Sequence, residues 1–328
     1  MKTLENVPLI SVVLPVYNRP EYLGKAIESV LNQTHQNFEF IIADDNSQKP
    51  TKDFLKNYSS NSKVKIISNS KNLGLFPNLS NALKLCQGDY ILFLCSDDFL
   101  LPDCLETSLN FAYNYPEANL VLCPTKIVDY NNQYLTPPHH FFYNQLKLNT
   151  RVWFPEESVP LLLRYGSING NLTGMFFKRE LYEKIGGFKD IWSHAADWEW
   201  LYRASKFGPI LITTTHTSVI RHHSEQLSGV NFRNTSNSLE VIEMVRILLA
   251  DPHVQKVEAA RQWALNLLQL HFWFALKFAF QGRWSEAMKI TKAINQVTGI
   301  GSTFWAMLRW LPQRWKIYRQ KSVLVQPE

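Results

Sequence analysis

Two short stretches put adjacent carboxylates where an apolar run stops: IIADDNS, with Asp44 and Asp45, and ILFLCSDDF, with Asp97 and Asp98. Like charges side by side repel unless a cation or hydrogen-bond donors offset them. Hard divalent cations take oxygen ligands and bind through one or two carboxylates together with substrate phosphates. Neighbouring side chains on an extended segment point in different directions. Asp97 and Asp98 are therefore expected to divide tasks, one taking a metal and the other accepting from a sugar hydroxyl. Further along, Asp197 in ADWEW opens a helical pattern, and a helix start favours an ionised carboxylate.

These acids need a scaffold that brings strand ends together. ISVVLPVY (10–17) is a continuous apolar run of the kind found in parallel strands covered on both faces. After it, Pro20 suits a first helical turn, and Leu23, Ala26, Ile27, Val30 and Leu31 recur at helical spacing. Strands are expected at 38–43, 64–68, 90–95, 119–128 and 209–215, with helices at 51–58, 77–86, 104–113 and from Asp197 to Ser205. Residues 174–188 read as a strand, a helix and a Gly-Gly turn. This alternation predicts an α/β fold with a mostly parallel sheet, whose ligands bind outside the carboxyl ends of the strands. Asp103 and Glu106 have the spacing of a capping box for helix 104–113, which leaves Asp97 and Asp98 free of that task. The stretch 131–158 reads as an irregular excursion. Beyond about 235 only helical patterns remain. The expected division is 1–234, with a nucleotide half to about 130 and an acceptor half from 131, followed by a helical region 235–328.

The composition bounds the function. The 328 residues are 45% hydrophobic and 19% charged, enough for a large domain and a smaller one. No window approaches the ~20 apolar residues of a spanning helix, and no secretory signal is read at the N-terminus. Four cysteines without a CxxC pair suggest neither zinc nor a disulfide framework, so a reducing cytoplasm is expected. From residue 281 onward eight Lys/Arg face only Glu286 and Glu328, so that segment accounts for the whole formal charge of +6. The terminal WAMLRWLPQRWKIYRQK mixes Trp and Tyr with Arg and Lys, as membrane-surface helices do; a solvated basic helix docked by its aromatics is the equal alternative. No nucleic-acid-binding module accompanies the charge. Neither GxGxxG nor GxxxxGK[ST] is present, which removes the dinucleotide and P-loop readings.

Taken in order, SVVLPVYNRPEYLGKAIESVLNQT, FIIADDNS, NLGLFPN, GDYILFLCSDD, GGF, ADWEW and RHHSEQLS resemble the family-2 glycosyltransferases of GT-A fold across roughly residues 9 to 230. The resemblance implies a Rossmann-like GT-A sheet and an inverting transfer from a nucleotide-diphospho-sugar, with UDP favoured. It places Pro15 and Tyr17 against the nucleotide, Asp45 on the base, and Asn72 and Asn78 beside it. Asp97 falls near the ribose, and Asp98 at the position of a Mn2+ or Mg2+ ion that His223 completes. Asp197 falls at the catalytic base, although Ala196 stands where family members often carry Glu. His222, between Arg221 and His223, has no expected role. The acceptor is expected to be a saccharide or a lipid-linked one, and the latter would suit peripheral attachment to the inner face of a membrane.

Plainer readings exist for each residue. Asp44 and Asp45 can form an Asx-turn with Ser47. Asp197 can simply start its helix, with Glu199 the rival base. Trp153, Trp192 and Trp198 can stack on acceptor sugars but more often pack in a core. Two other functions compete. A sugar nucleotidyltransferase would want a Gly-rich basic loop where LPVYNRPEYL stands, and a non-catalytic carbohydrate- or membrane-binding scaffold would not need Asp45, Asp97, Asp98, Asp197 and His223 intact.

Overall fold

The computed structural model describes residues 7–136, 149–168, 172–223 and 235–323, with side chains to 311. The chain divides into two compact units, Met1–Leu227 and Ser228–Glu328.

The first unit is built on an eight-stranded sheet in the order β3-β2-β1-β4-β10-β6-β11-β9. Its strands are β1 (Ile10–Val16), β2 (Phe38–Asp44), β3 (Val64–Ser68), β4 (Tyr90–Phe93), β6 (Leu120–Leu122), β9 (Arg151–Trp153), β10 (Phe176–Lys178) and β11 (Ile210–Ile212). β1 pairs in parallel with β2 and β4, and β2 with β3. β10 runs antiparallel between β4 and β6, so the sheet is mixed, though mostly parallel. Every residue of β1 is buried, as its unbroken apolar run requires. The order 3-2-1-4 puts a switch point at β1, where chain connections leave in opposite directions and a crevice opens at the carboxyl edge.

Helix α1 (Pro20–Leu31) begins with proline and buries Leu23, Ala26, Ile27 and Val30 against this sheet. It is followed by α2 (Lys49–Lys56) and α3 (Leu75–Leu83). The helix α4 (Cys104–Asn114) forms where expected, but without the expected capping box. Asp103 makes no side-chain cap, and Glu106 instead accepts from Thr34 Oγ1 at 2.7 Å. The cap comes from the loop after α1: buried Gln33 accepts from Leu105 N at 2.9 Å and donates to Leu101 O at 2.6 Å. A long amide from just beyond the end of α1 does what a local carboxylate was expected to do.

Two further expectations are corrected. The run 119–128 is two strands in different sheets, β6 and β7 (Thr125–Val128), because Pro124 interrupts it and offers no N–H to a ladder. The smaller sheet has the order β5-β12-β7-β8, with β5 (Phe99–Leu100), β8 (Tyr134–Leu135) and β12 (Ser218–Arg221). The stretch 131–158 is not wholly irregular either, since β8 and β9 lie in it and α5 (Pro155–Tyr165) begins there. Residues 137–148 lie outside the described residues. α6 (Arg179–Ile185) and α7 (Ala196–Phe207) complete this unit.

The second unit is helical: α8 (Thr235–Leu249), α9 (Pro252–Gln255), α10 (Ala260–Phe280), α11 (Trp284–Val297) and α12 (Ile300–Val323). α10 packs on α11 and α12, and α8 on α11, around Met244, Val245, Leu268, Ile290 and Ile294. Buried His271 meets Ser238 Oγ at 3.1 Å, and burial lowers its pKa to about 4, so it is neutral core. No helix among the described residues is long and apolar enough to cross a membrane.

Candidate active site

At the carboxyl edge of β1 and β2 the register sets Val16 beside Asp44 and Pro15 beside Ala43. Pro15 is buried within the strand, while Tyr17 just beyond it is 50% exposed. Asn18 and Arg19 both take left-handed backbone, with φ of 58° and 59°, which non-glycine residues rarely adopt. Cross-bracing holds the turn. Asn18 N donates to Ser47 Oγ and Gln48 N donates to Asn18 Oδ1, each at 2.8 Å.

The first acidic pair is met by hydrogen-bond donors. Asp44 Oδ1 accepts from Ser47 N at 3.0 Å, so the Asx-turn belongs to Asp44; its buried Oδ2 has no hydrogen-bond partner among the described residues. Asp45, also buried, accepts from Leu73 N and Asn69 Nδ2 at one oxygen and from Gly74 N at the other, at 2.8 to 2.9 Å. Asp45 thus fixes the 69–74 loop. Asn72 is exposed and accepts from Gly74 N at 3.1 Å. Asn78 is buried, donates to Ala43 O at 2.7 Å and accepts from Asn69 Nδ2 at 2.8 Å. Both ends of that amide are engaged inside the protein, which makes Asn78 a strut between α3 and β2.

The second pair, after β4, is arranged differently. Cys95 Sγ and carboxylate oxygens of Asp97 and Asp98 lie within 4.8 Å of one another. Asp98 is 1% exposed; Oδ1 accepts from Arg221 N at 2.9 Å and Oδ2 from Thr173 Oγ1 at 2.5 Å. Asp97 is less enclosed, and His223 Nε2 stands 3.0 Å from its Oδ2. Adjacent ligands on an octahedral ion, each about 2.1 Å from it, are themselves about 3 Å apart. The His223–Asp97 contact is a hydrogen bond, and the same separation would let the two side chains share a divalent cation. The resemblance assigns the metal to Asp98 and His223; Asp98 stands in this cluster with Asp97, while the His223 ring meets the Asp97 carboxylate. Burial, followed by the charges of Asp98 and Asp97, pushes the Cys95 thiol well up, so it stays protonated.

Arg221 is a buried hub. Its Nε donates to Asp97 O at 3.0 Å and its Nη1 to Asn132 Oδ1 at 2.9 Å, while its guanidinium lies 4.7 Å from the Tyr22 ring centroid. His222 is exposed, its N donating to Val128 O at 2.7 Å.

Asp197 lies in the first turn of α7. Its Oδ1 accepts from Trp198 N at 2.8 Å and its Oδ2 from Ser167 Oγ at 3.2 Å. Burial raises its pKa above the ordinary carboxylate range, against the pull of these bonds. The rival Glu199 is otherwise engaged: Arg203 grips it at 2.9 to 3.1 Å and Lys189 reaches it at 2.7 Å. Arg203 also donates to the Ile185 and Gly187 carbonyls, so this pair shapes the Gly-Gly turn. Trp153, Trp192 and Trp198 are all buried, as core packing requires. Sequence reasoning missed Thr173, Ser167, Gln33 and Tyr22. A lone hydroxyl or amide far from its partner in the chain carries no local pattern.

The family model for Glycosyl transferase family 2 matches residues 11–186, and the chain belongs to that family. That span holds both acidic pairs; Asp197 and His223 lie beyond it. An uncharacterized glycosyltransferase of Haemophilus influenzae is 44% identical over 107 residues, 32% of this chain and 43% of that protein. The chain spans half or less of the length of the first curated relatives it matches. Two solved structures share the fold. S. aureus TarS (residues 1–349) in complex with UDP-GlcNAc has a TM-score of 0.66 at 17% identity, over 93% of this chain and 91% of that one. The mannosyltransferase PcManGT of Pyrobaculum calidifontis, in complex with GDP-Man and Mn2+, has 0.57 at 16%, over 97% and 84%.

Proposed function

We propose that the protein moves a hexosyl group from a nucleotide-diphospho-sugar, with UDP the favoured nucleotide, to an acceptor hydroxyl, inverting the anomeric carbon. The observation that carries this reading is the Asp97–His223 pair, 3.0 Å apart at the carboxyl edge of the β1–β4 sheet. Family membership and the UDP-GlcNAc and GDP-Man of the structural relatives support it.

Tyr17, Pro15 and Asn72 border the nucleotide, and Asp45 meets the base while holding its loop. Asp97 and His223, with Asp98 of the same cluster beside them, would hold a divalent cation, Mn2+ or Mg2+. When bound, such an ion offsets the charge of the departing diphosphate. Asp197 takes the acceptor hydroxyl proton as oxygen bonds to C1 and the bond from C1 to the diphosphate oxygen breaks. Ser167 and the Trp198 amide orient the carboxylate for this. The acceptor is a saccharide, free or lipid-linked, in cell-surface polysaccharide or glycolipid assembly. The basic C-terminal segment accords with a cytoplasmic enzyme resting on the inner face of a membrane.

A donor-hydrolysis screen over UDP-, GDP- and dTDP-sugars, with Mn2+ or with EDTA, tests the reading. Turnover is expected only with metal. Asp197→Asn should lower kcat by about 10²- to 10⁴-fold. The base must be ionised, so kcat/KM should fall with falling pH through the raised Asp197 pKa, and this acid limb should vanish in Asp197→Asn. A raised folded-state pKa means that charge on Asp197 costs stability at neutral pH, so Asp197→Asn should melt no lower than wild type. EDTA-resistant turnover would remove the metal, and full activity in Asp197→Asn would move the base elsewhere.

A further inference from the structure

His223 lies two residues past the end of β12, so the sheet ladder does not itself aim its ring. The ring instead rests against Tyr22, with centroids 5.2 Å apart and planes inclined by 37°. The Arg221 guanidinium meets the same tyrosine, 4.7 Å from its centroid. Tyr22 stands in the first turn of α1, next to Leu23, and that helix is clamped to the sheet by four fully buried apolar residues. It is a rigid support. Arg221 is fixed as well, through its N on Asp98 Oδ1, its Nε on Asp97 O and its Nη1 on Asn132 Oδ1.

Two residues of the RHH segment thus share one aromatic ring carried by a distant helix. One of them, Arg221, braces the turn that bears Asp97; the other, His223, faces the Asp97 carboxylate.

We propose that Tyr22 is the positioning residue of the metal-holding imidazole: its ring face keeps His223 turned toward Asp97, so that both donors stand ready for the cation. The inference rests on the metal reading above and adds a residue to it. Without that ring the imidazole would lose one of the contacts that set its rotamer and would be less sharply ordered. The cation would then have to order the ring on binding, and affinity would fall. Supports behind metal ligands are typically worth roughly ten- to a hundredfold in affinity. The ring is what matters here, since the ring that meets both the Arg221 guanidinium and the imidazole is present in Phe as in Tyr.

The test is a Mn2+ titration of the full chain, free ion counted by electron paramagnetic resonance, on wild type, Tyr22→Phe, Tyr22→Leu and Tyr22→Ala. Tyr22→Phe should bind as wild type does. Tyr22→Leu, which keeps apolar bulk on α1 but has no ring face, should bind roughly tenfold more weakly or worse. Its thermal midpoint should match that of Tyr22→Phe, and saturating Mn2+ should restore its kcat. Equal Mn2+ affinity in the Leu and Phe variants overturns the proposal. Should Tyr22→Leu not fold, equality of Tyr22→Ala with Tyr22→Phe overturns it in the same way. A wild type that binds no Mn2+ overturns the Asp97–His223 metal reading and this one with it, whereas a wild type that binds Mn2+ regardless of residue 22 overturns this one alone.

Discussion

The two acidic pairs look alike in the chain and live differently in the fold. Asp44 and Asp45 end β2 among backbone and amide N–H groups from residues 47 and 69–74, so that edge is a polar socket closed upon itself. Asp97 and Asp98 follow β4, and their partners come from β12, from the residues just after it and from Thr173, more than 70 positions away. In the first pair both carboxylates are buried. In the second, one is buried and the other faces an imidazole. Carboxylates met by N–H donors need no cation, whereas one met by a histidine has the makings of a ligand set. The same dipeptide becomes a closed loop clamp or a carboxylate set against an imidazole according to what the sheet brings beside it.

Four substitutions probe that contrast. Asp98→Ala removes the acceptor of two buried hydrogen bonds, from Arg221 N and from the Thr173 hydroxyl, and at about 1–3 kcal/mol for each it should cost about 2–6 kcal/mol in urea denaturation. Asp97→Ala removes the side-chain contact with His223 and should cost less than Asp98→Ala, yet should lose Mn2+ binding. If Asp98→Ala is as stable as wild type, or Asp97→Ala still binds Mn2+, the division of tasks between the two is wrong. Next in size, Asp45→Ala should cost about 1–3 kcal/mol and speed hydrogen exchange at Leu73 and Gly74. Unchanged protection of those amides would show that the clamp is not Asp45. The smallest effect belongs to Asp44→Asn. The amide oxygen keeps the Ser47 turn and the orphaned charge is removed, so the change should stay within about 1 kcal/mol. A larger loss would mean that Oδ2 has a partner.

Much of this was legible beforehand. The apolar run of β1, the helical spacing of α1 and the strand at 64–68 are local patterns, and local patterns are what periodicity reads. The acidic pairs stood out because charges at the end of a core strand demand an explanation. The α4 cap did not stand out, because Gln33 lies 72 residues from Leu105 and glutamine signals nothing by itself. The split of 119–128 hid behind its apolar content, although Pro124 marked the place.

What the chain's order of residues determined is which groups exist and on which strand ends they emerge, because alternation and helical period follow from covalent geometry and burial alone. Which of Asp97 and Asp98 faces outward, which segment supplies the cap, and that Tyr22 supports His223 were decided only when segments far apart in the chain met. Such contacts depend on register and packing across the sheet, and no short window of sequence carries that information.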